Sequence, residues 1–233
     1  GQNPIEAAKY GCKILHGPNV WNFQEIYSLL NKYNVSNKVN NLNYLGIKTI
    51  IYYEIRDFLK EFQFNIIAPL VTTLLFVLVL SLINTHFVTA SVENSYIQFL
   101  IPGIIMMVVI QTSYNHLSEV IINMKQIGSF NDYLMSPLSR IEIFFSFVTS
   151  SIVVSIIVGF TNLAVLFLFV DYNSLNFFKL FYYLFLTSVF FSSFGAIIGL
   201  ISYTWDTQSS IYNFIIVPIS FFSGTFFSID SLD

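Results

Sequence analysis

Long apolar stretches without a charged side chain alternate with short polar segments along most of the chain. Charge-free windows include residues 62–92, 143–170, 180–205 and 207–229. A helix needs about 20 apolar residues to cross a hydrocarbon core about 30 Å thick, and each window reaches that length. The pattern predicts an all-α polytopic membrane protein with about five transmembrane helices. The five predicted spans are 64–83, 96–115, 141–169, 179–202 and 211–223.

Proline and glycine positions add detail to these spans. Pro102 followed by Gly103 predicts a kink or a break in the second span. Pro218 predicts that the fifth span does not cross as one straight helix, and the residues after it are expected to form a half-helix or a re-entrant end. Gly195 and Gly199 have the Gly-x-x-x-Gly spacing that lets a neighbouring helix approach closely. We expect that neighbour to belong to the same subunit.

The polar segment before the first span has a helical pattern of its own. Residues 45–62 place apolar groups on one face of a helix and charged groups on the other. This pattern is typical of an interfacial helix that lies along the bilayer. Glu54 falls within the apolar face, so we expect it to have a structural partner or a functional contact.

The polar segment between the second and third spans is longer. Residues 118–139 are predicted to form a connector outside the membrane, with Gly128 as the break between two short helices. Ser139 and Glu142 have the spacing of a capping box, which predicts the start of the third span.

Basic residues near the span ends predict the orientation. Cytoplasmic loops of membrane proteins carry an excess of Lys and Arg. In the predicted topology, five basic residues near the span ends lie on one side of the membrane and Lys179 lies on the other. We therefore expect the N-terminus, the interfacial helix and the connector to be cytoplasmic. The basic residues on the cytoplasmic side are Lys48, Arg56, Lys60, Lys125 and Arg140.

Composition supports a membrane protein and excludes several other classes. Hydrophobic residues make up 55% of the chain and charged residues only 10%. The net charge of −3 argues against a nucleic-acid partner, because no basic cluster is present. The single cysteine, Cys12, and three scattered histidines predict no structural metal and no thiol catalysis. The spans contain few ionisable residues, which disfavours proton-coupled transport.

The first 41 residues differ from the rest, because polar and apolar residues alternate there in short segments. Asn3 can cap a helix over 4–10 that has Glu6 in its first turn. A short strand over 12–15 and a second helix over 23–33 follow, and residues 35–43 are predicted to be a polar linker. We place a domain boundary between residues 41 and 42.

Four motifs after this boundary resemble the permease subunits of ABC-2 type ABC exporters. In chain order they are YYEIRDFLKEFQFNIIAPLVTTLLFVLV, YIQFLIPGIIMMVVIQ, MKQIGSFNDYLMSPLSRIEI and NFIIVPISFFSGTFFSIDSL. The resemblance implies a bacterial inner-membrane subunit that dimerises, binds no cofactor directly and docks a separate ABC ATPase, which hydrolyses ATP. The chain contains no P-loop motif, in keeping with that division of labour.

The same resemblance implies which residues contact the ATPase. By this resemblance, the connector would supply the coupling helix, and its residues would contact the ATPase or act as a hinge. The alternative is an ordinary solvated connector without such a role. The candidates are Lys125, Gly128, Asn131, Asp132, Met135 and Pro137. Members of this family continue into a sixth span, so we expect the chain to be a fragment of a longer protein.

The N-terminal stretch GQNPIEAAKYGCKILHGPNVWNFQEI resembles a second family. It is similar over residues 1–39 to the C-terminal nucleotide-binding half of Kdo transferases, GT-B glycosyltransferases that move Kdo from CMP-Kdo to lipid A precursors. The resemblance implies a short α/β fragment in which Asn3 and Glu6 lie at the donor nucleotide and ribose; simple helix capping is the alternative.

The two resemblances suggest a transferase fragment fused to a permease. Because the fragment lacks an acceptor-binding domain, we expect it to be inactive and the chain to be a transport subunit rather than an enzyme. Two alternatives remain: a membrane-anchored Kdo transferase present only in part, and a membrane scaffold that does not transport. The substrate is not determined by the sequence.

Overall fold

The computed structural model describes residues 4–16, 23–38, 44–87, 90–136, 138–167 and 176–222. A small α/β unit precedes a set of long helices. The unit consists of α1 (Pro4–Lys9), β1 (Ile14–His16), α2 (Gln24–Lys32) and β2 (Ser36–Lys38). The helical part consists of α3 (Tyr44–Lys60), α4 (Ala68–Phe87), α5 (Ala90–Ile127), α6 (Phe130–Met135), α7 (Arg140–Leu166), α8 (Phe177–Ile201), α9 (Trp205–Ile211) and α10 (Val217–Phe222). Two π-helical turns, Gln63–Ile67 and Tyr212–Ile216, precede α4 and α10.

The α/β unit is a β-α-β crossover. β1 and β2 pair in parallel, with Ile14 opposite Ser36, and α2 connects them. Ser36 Oγ donates to Asn31 Oδ1 at 2.6 Å, which ties β2 to the end of α2. The predicted helices and first strand are present. The prediction of an irregular linker over 35–43 is wrong for Ser36–Lys38, because these residues hydrogen-bond to β1.

The chain bends sharply after α3. The angle between α3 and the following segment, Gln63–Val79, is 77°. Asn65 Nδ2 donates to the carbonyl oxygen of Phe58 at 2.9 Å, so a side chain bridges the bend. α3 buries Ile50 and Phe58 while exposing other side chains, as an amphipathic helix does. The predicted helix over 45–62 is confirmed, and its position at a membrane surface stays a prediction.

Three described helices are long and apolar enough to cross a bilayer: Leu100–Ile127, Arg140–Leu166 and Phe177–Ile201. The number rises to four if α3 and the segment after the bend are counted together as one broken span. The predicted all-α membrane architecture is therefore supported, and the count of five spans stays a prediction. The predicted half-helix after residue 222 lies outside the described residues.

α5 differs most from its prediction. It runs without a break from Ala90 to Ile127, through Pro102, so a break there is excluded and the alternative, a kink, stays a prediction. Leu100, Ile101 and their neighbours on the next turn are almost fully buried, so packing keeps the helix continuous where one hydrogen bond is missing. Residues 118–127 are also the last turns of α5 rather than a separate short helix of the connector.

Small polar residues join α5, α7 and α8. Ser192 Oγ donates to Ser151 Oγ, and Ser151 Oγ donates to the carbonyl oxygen of Ser113, both at 3.0 Å. Ser155 Oγ donates to Ser188 Oγ at 3.0 Å one turn away. All five serines are fully buried. Because lipid tails are as apolar as the helices, close packing and such hydrogen bonds hold this three-helix core together.

Candidate functional site

α6 has two different faces. Phe130 and Tyr133 point inward and pack on the buried cluster that includes Phe147 of α7. The ring of Tyr133 lies edge-on to that of Phe147, with centroids 5.4 Å apart. The outward face is exposed and combines polar and apolar side chains, namely Asn131, Asp132, Leu134 and Met135. A helix anchored on one side and exposed on the other is suited to contact a second protein.

Two local structures define the ends of the segment between α5 and α7, which contains α6. Gly128 has a φ of +85°, a left-handed conformation that ends α5 and suits glycine. At the other end, Ser139 N–H donates to Glu142 Oε2 at 2.7 Å, and Glu142 N–H donates to Ser139 Oγ at 3.2 Å. The predicted capping box is therefore confirmed, and it begins α7 at Arg140.

The connector also contacts α3. Leu138 is buried, and its side chain packs against Gly46 so closely that a Cβ atom at Gly46 would lie 2.8 Å from Leu138 Cδ2. Burial raises the pKa of Tyr133, and the nearby carboxylates of Glu54 and Asp57 raise it further. The residues after α6 therefore lie against the start of α3, and Tyr133 of α6 is within electrostatic range of its second half.

Lys125 lies at the end of α5 and binds the end of α8. Its Nζ donates to the carbonyl oxygens of Gly199 at 2.8 Å and Ser202 at 3.0 Å, and also to that of Leu200. The ammonium lies 5.3 Å from the centre of the Tyr203 ring. A cation at these carbonyls satisfies acceptors that have no partner within the helix.

A cleft of about 1100 Å³ lies between α3, α4, α5 and the start of α9. One helical face of α5 forms a wall, because its lining residues recur every three or four positions. The face changes in character along the helix, from apolar Ile104 and Val108 through polar Gln111 and Asn115 to Glu119. The opposite wall, on α4, includes Pro69, Thr72, Thr73 and Phe76.

Hydrogen bonds from the last described helices reach the α5 wall. Gln208 Nε2 donates to Asn115 Oδ1 at 3.2 Å and to Ser118 Oγ at 3.0 Å. Gln111 Nε2 donates to Ser220 Oγ at 3.1 Å. These bonds tie α9 and α10 to the polar middle of the cleft wall, so a movement of these helices would change the cleft.

The site residues named from the sequence fall into separate places. Asn131, Asp132 and Met135 share the exposed face of α6, and Gly128 begins the turn before it. Pro137 and Asn3 lie outside the described residues, and Glu6 is exposed in the first turn of α1.

The glycine pair lies against α5. A Cβ atom at Gly195 would lie 2.5 Å from the carbonyl oxygen of Tyr114, and one at Gly199 would lie 3.0 Å from Ile121 Cβ. The close neighbour of both glycines is therefore a helix of the same chain.

Most cleft residues were not identified from the sequence. Glu54 was singled out there by its place within an apolar helical face, and Lys60 was named only for the orientation of the chain. A polar residue recurs on one face of the second span, at Gln111, Asn115 and Glu119, and this spacing is a signal that could have indicated the wall. The cleft residues of α4 and α9 are brought together by tertiary packing, so no local sequence pattern indicates them.

The helices and the two-faced connector define a polytopic helical membrane protein. The chain belongs to the ABC-2 type transporter family, whose model matches residues 46–233. It is similar to the inner membrane transport permease YadH of Escherichia coli strain K12, with 27% identity over 193 residues that cover 82% of this chain and 75% of the relative. YadH of Escherichia coli O157:H7 and of Shigella flexneri match to the same extent. No solved structure matches the chain.

The family match begins after the α/β unit. It gives no support to the resemblance of residues 1–39 to Kdo transferases, which stays a prediction.

Proposed function

We propose that this chain is the membrane-spanning permease subunit of an ATP-driven exporter in the bacterial inner membrane. The main observation in favour of this proposal is the exposed face of α6, because a soluble ATPase can reach this surface of the connector. Two such permeases would pair, each with its ATPase, with the N-terminus and the connector in the cytoplasm. The excess of Lys and Arg at that end of the helices supports the orientation.

The chemistry of α6 favours a protein partner. Leu134 and Met135 expose 38% and 53% of their surface, next to the carboxylate of Asp132. Ile127, at the end of α5, exposes 73%. Apolar side chains grouped around one charged side chain form a small contact surface, and the charge limits the positions in which a partner can bind. Lys125 lies nearby, but its ammonium binds the end of α8, so its role in this scheme is to hold the connector in place.

Force on α6 has two routes into the membrane part. Tyr133 transmits it to Phe147 and hence to α7, and Leu138 transmits it to Gly46 and hence to α3. α3 in turn forms part of the cleft, so closure of the ATPases would change the shape of the cleft. Such a rigid-body change between two arrangements is sufficient for alternating access of a cargo.

The experiment is copurification of ATP-hydrolysing activity with the tagged chain, solubilised gently from its native membrane. Asp132→Ala together with Met135→Ala should remove most of the associated activity, since both side chains lie on the exposed face of α6. Glu25→Ala is the matched control, because Glu25 is also an exposed acidic residue in the first turn of a short helix. No associated ATPase in the unsubstituted protein, or equal loss with the control, would contradict the proposal.

A further inference from the structure

The charges on the cleft wall indicate which kind of cargo it accepts. We propose that the cleft binds amphipathic cations, molecules with a positively charged head and an apolar body. This inference rests on the proposed transport function and concerns the cargo of that same cleft.

The first observation is an excess of carboxylates. The described cleft residues include Glu54, Asp57, Glu61 and Glu119, but only one lysine or arginine, Lys60. Lys60 Nζ lies 2.6 Å from Asp57 Oδ1, so the one cation is already paired. Within the described part of the chain, Glu54 and Glu119 have no hydrogen-bond or salt-bridge partner. Burial, and next the nearby Asp57 carboxylate, raise the pKa of Glu54 to about 7, and a bound cation would favour its ionised form.

The second observation is independent of the carboxylates. His116 borders the cleft one turn before Glu119, and its Nδ1 is buried without a hydrogen-bond partner among the described residues. Its ring packs edge-on against Phe58, with centroids 5.6 Å apart. A buried polar atom without a partner is costly, and a hydrogen-bonding group on a ligand would satisfy Nδ1 only if the imidazole ring turned toward the cleft. The acidic end of the cleft therefore contains carboxylates and an imidazole whose Nδ1 lacks a partner among the described residues.

The third observation is the apolar end. Ile104, Val108 and Met107 of α5 face the same space as Phe76 and Ala68 of α4. Ile104 and Glu119 are 15 residues apart on α5, a distance of about 22 Å along the helix axis. The cleft thus changes from apolar to acidic over roughly the length of a small amphiphile. Its volume, about 1100 Å³, is large enough for a molecule of drug size.

The same charges select against anions. A phosphate or carboxylate head placed between Glu54 and Glu119 would add a like charge where the protein supplies no free cation among its described cleft residues. Juxtaposed like charges are strongly unfavourable when partly shielded from water. The cleft should therefore discriminate by the sign of the charge and not only by shape.

Tetraphenylphosphonium and tetraphenylborate make a direct test, because the two ions have nearly the same size and shape but opposite charge. The full chain is incorporated in nanodiscs of neutral lipid, and binding of each radiolabelled ion is measured in a separate equilibrium dialysis, because the two ions together form an insoluble ion pair. Empty nanodiscs are the blank. We expect saturable binding of tetraphenylphosphonium and no binding of tetraphenylborate above the blank. Glu54→Gln combined with Glu119→Gln should weaken binding by at least about tenfold. Glu25→Gln, an exposed carboxylate outside the cleft, should leave it unchanged.

Three results would overturn the inference: no binding of tetraphenylphosphonium above the blank, equal binding of tetraphenylborate, or unchanged affinity in the double variant. The double variant retains the size of both side chains, and its melting temperature shows whether it is folded. Associated ATPase activity is measured on the same preparation. If the ATPase is present and the charge preference is absent, only the cargo class is wrong; if the ATPase is absent, the transport function itself fails.

Discussion

Lys125 and Gly199 are joined by a hydrogen bond of 2.8 Å from the lysine ammonium to the glycine carbonyl oxygen. The two residues belong to different helices and are 74 positions apart in the chain. Gly199 also lets α8 approach α5 closely, because its missing side chain leaves room for Ile121 and Ser118. The ends of α5 and α8 are therefore held together by packing and by charge at the same point.

The charge of Lys125 should stabilise this junction. Lys125→Met keeps most of the side-chain volume but leaves the carbonyls of Gly199 and Ser202 without their donor, so we expect a loss of about 1–3 kcal/mol. A lower melting temperature in detergent is the measurement. Lys179→Met, at the opposite end of α8, is the control and should have little effect. Equal melting temperatures for the two variants would show that the bonds to Lys125 contribute nothing.

The two glycines of α8, Gly195 and Gly199, should differ in how well they tolerate substitution by alanine. Gly195→Ala places a methyl group 2.5 Å from the Tyr114 carbonyl oxygen, which is backbone and can move only if the helices separate. Gly199→Ala meets its nearest atom at 3.0 Å and requires a smaller shift. We expect both variants to be destabilised and Gly195→Ala to be the more severe, with a loss of several kcal/mol. The yield of folded protein and its melting temperature check the order, and the reverse order would contradict the packing described.

The buried serines should stabilise the core by hydrogen bonding between helices. Ser151→Ala removes the bond to the Ser113 carbonyl and the acceptor for Ser192, so we expect a loss of about 1–2 kcal/mol. Ser193→Ala is a matched control on α8, because Ser193 Oγ bonds to the carbonyl of Val189 within its own helix. Thermal unfolding of both variants in the same lipid or detergent distinguishes them. Similar melting temperatures would mean that the interhelical bonds add no net stability.

Substitutions at two leucines, one in α6 and one just after it, should distinguish an effect on ATPase docking from an effect on protein stability. Leu134→Ala alters the exposed face, so we expect weaker association with the ATPase and an almost unchanged melting temperature. Leu138→Ala empties a buried position next to Gly46, so we expect a loss of about 2–4 kcal/mol with association largely retained. Measuring both properties on both variants is the test. If Leu134→Ala alters stability alone, the outer face of α6 is not a docking surface.

Features set by local sequence were predicted well. The capping box at Ser139 and Glu142 depends on residues three positions apart, and both of its hydrogen bonds are present. The turn at Gly128 follows from the conformational freedom of glycine, and its positive φ agrees. The apolar periodicity of residues 45–62 corresponds to α3, with only small differences at the ends.

Features set by tertiary contacts were not predictable in the same way. Pro102 favours a break in an isolated helix, but burial of the surrounding turns keeps α5 continuous. Lys125 has the sequence context of an exposed connector residue, and only the position of α8 shows that its ammonium caps another helix. The cleft combines residues from several elements, so its volume and charge depend on the fold as a whole.

The length of α5 has a mechanical consequence. Its 38 residues extend over about 57 Å, nearly twice the thickness of the hydrocarbon core. If α5 moves as one body across Pro102, a tilt of about 5° around its midpoint displaces each end by about 2.5 Å. One end of α5 leads into the turn before α6, and its central part carries the cleft wall. A small rotation at the connector would then move the far end of α5 without any helix having to unfold.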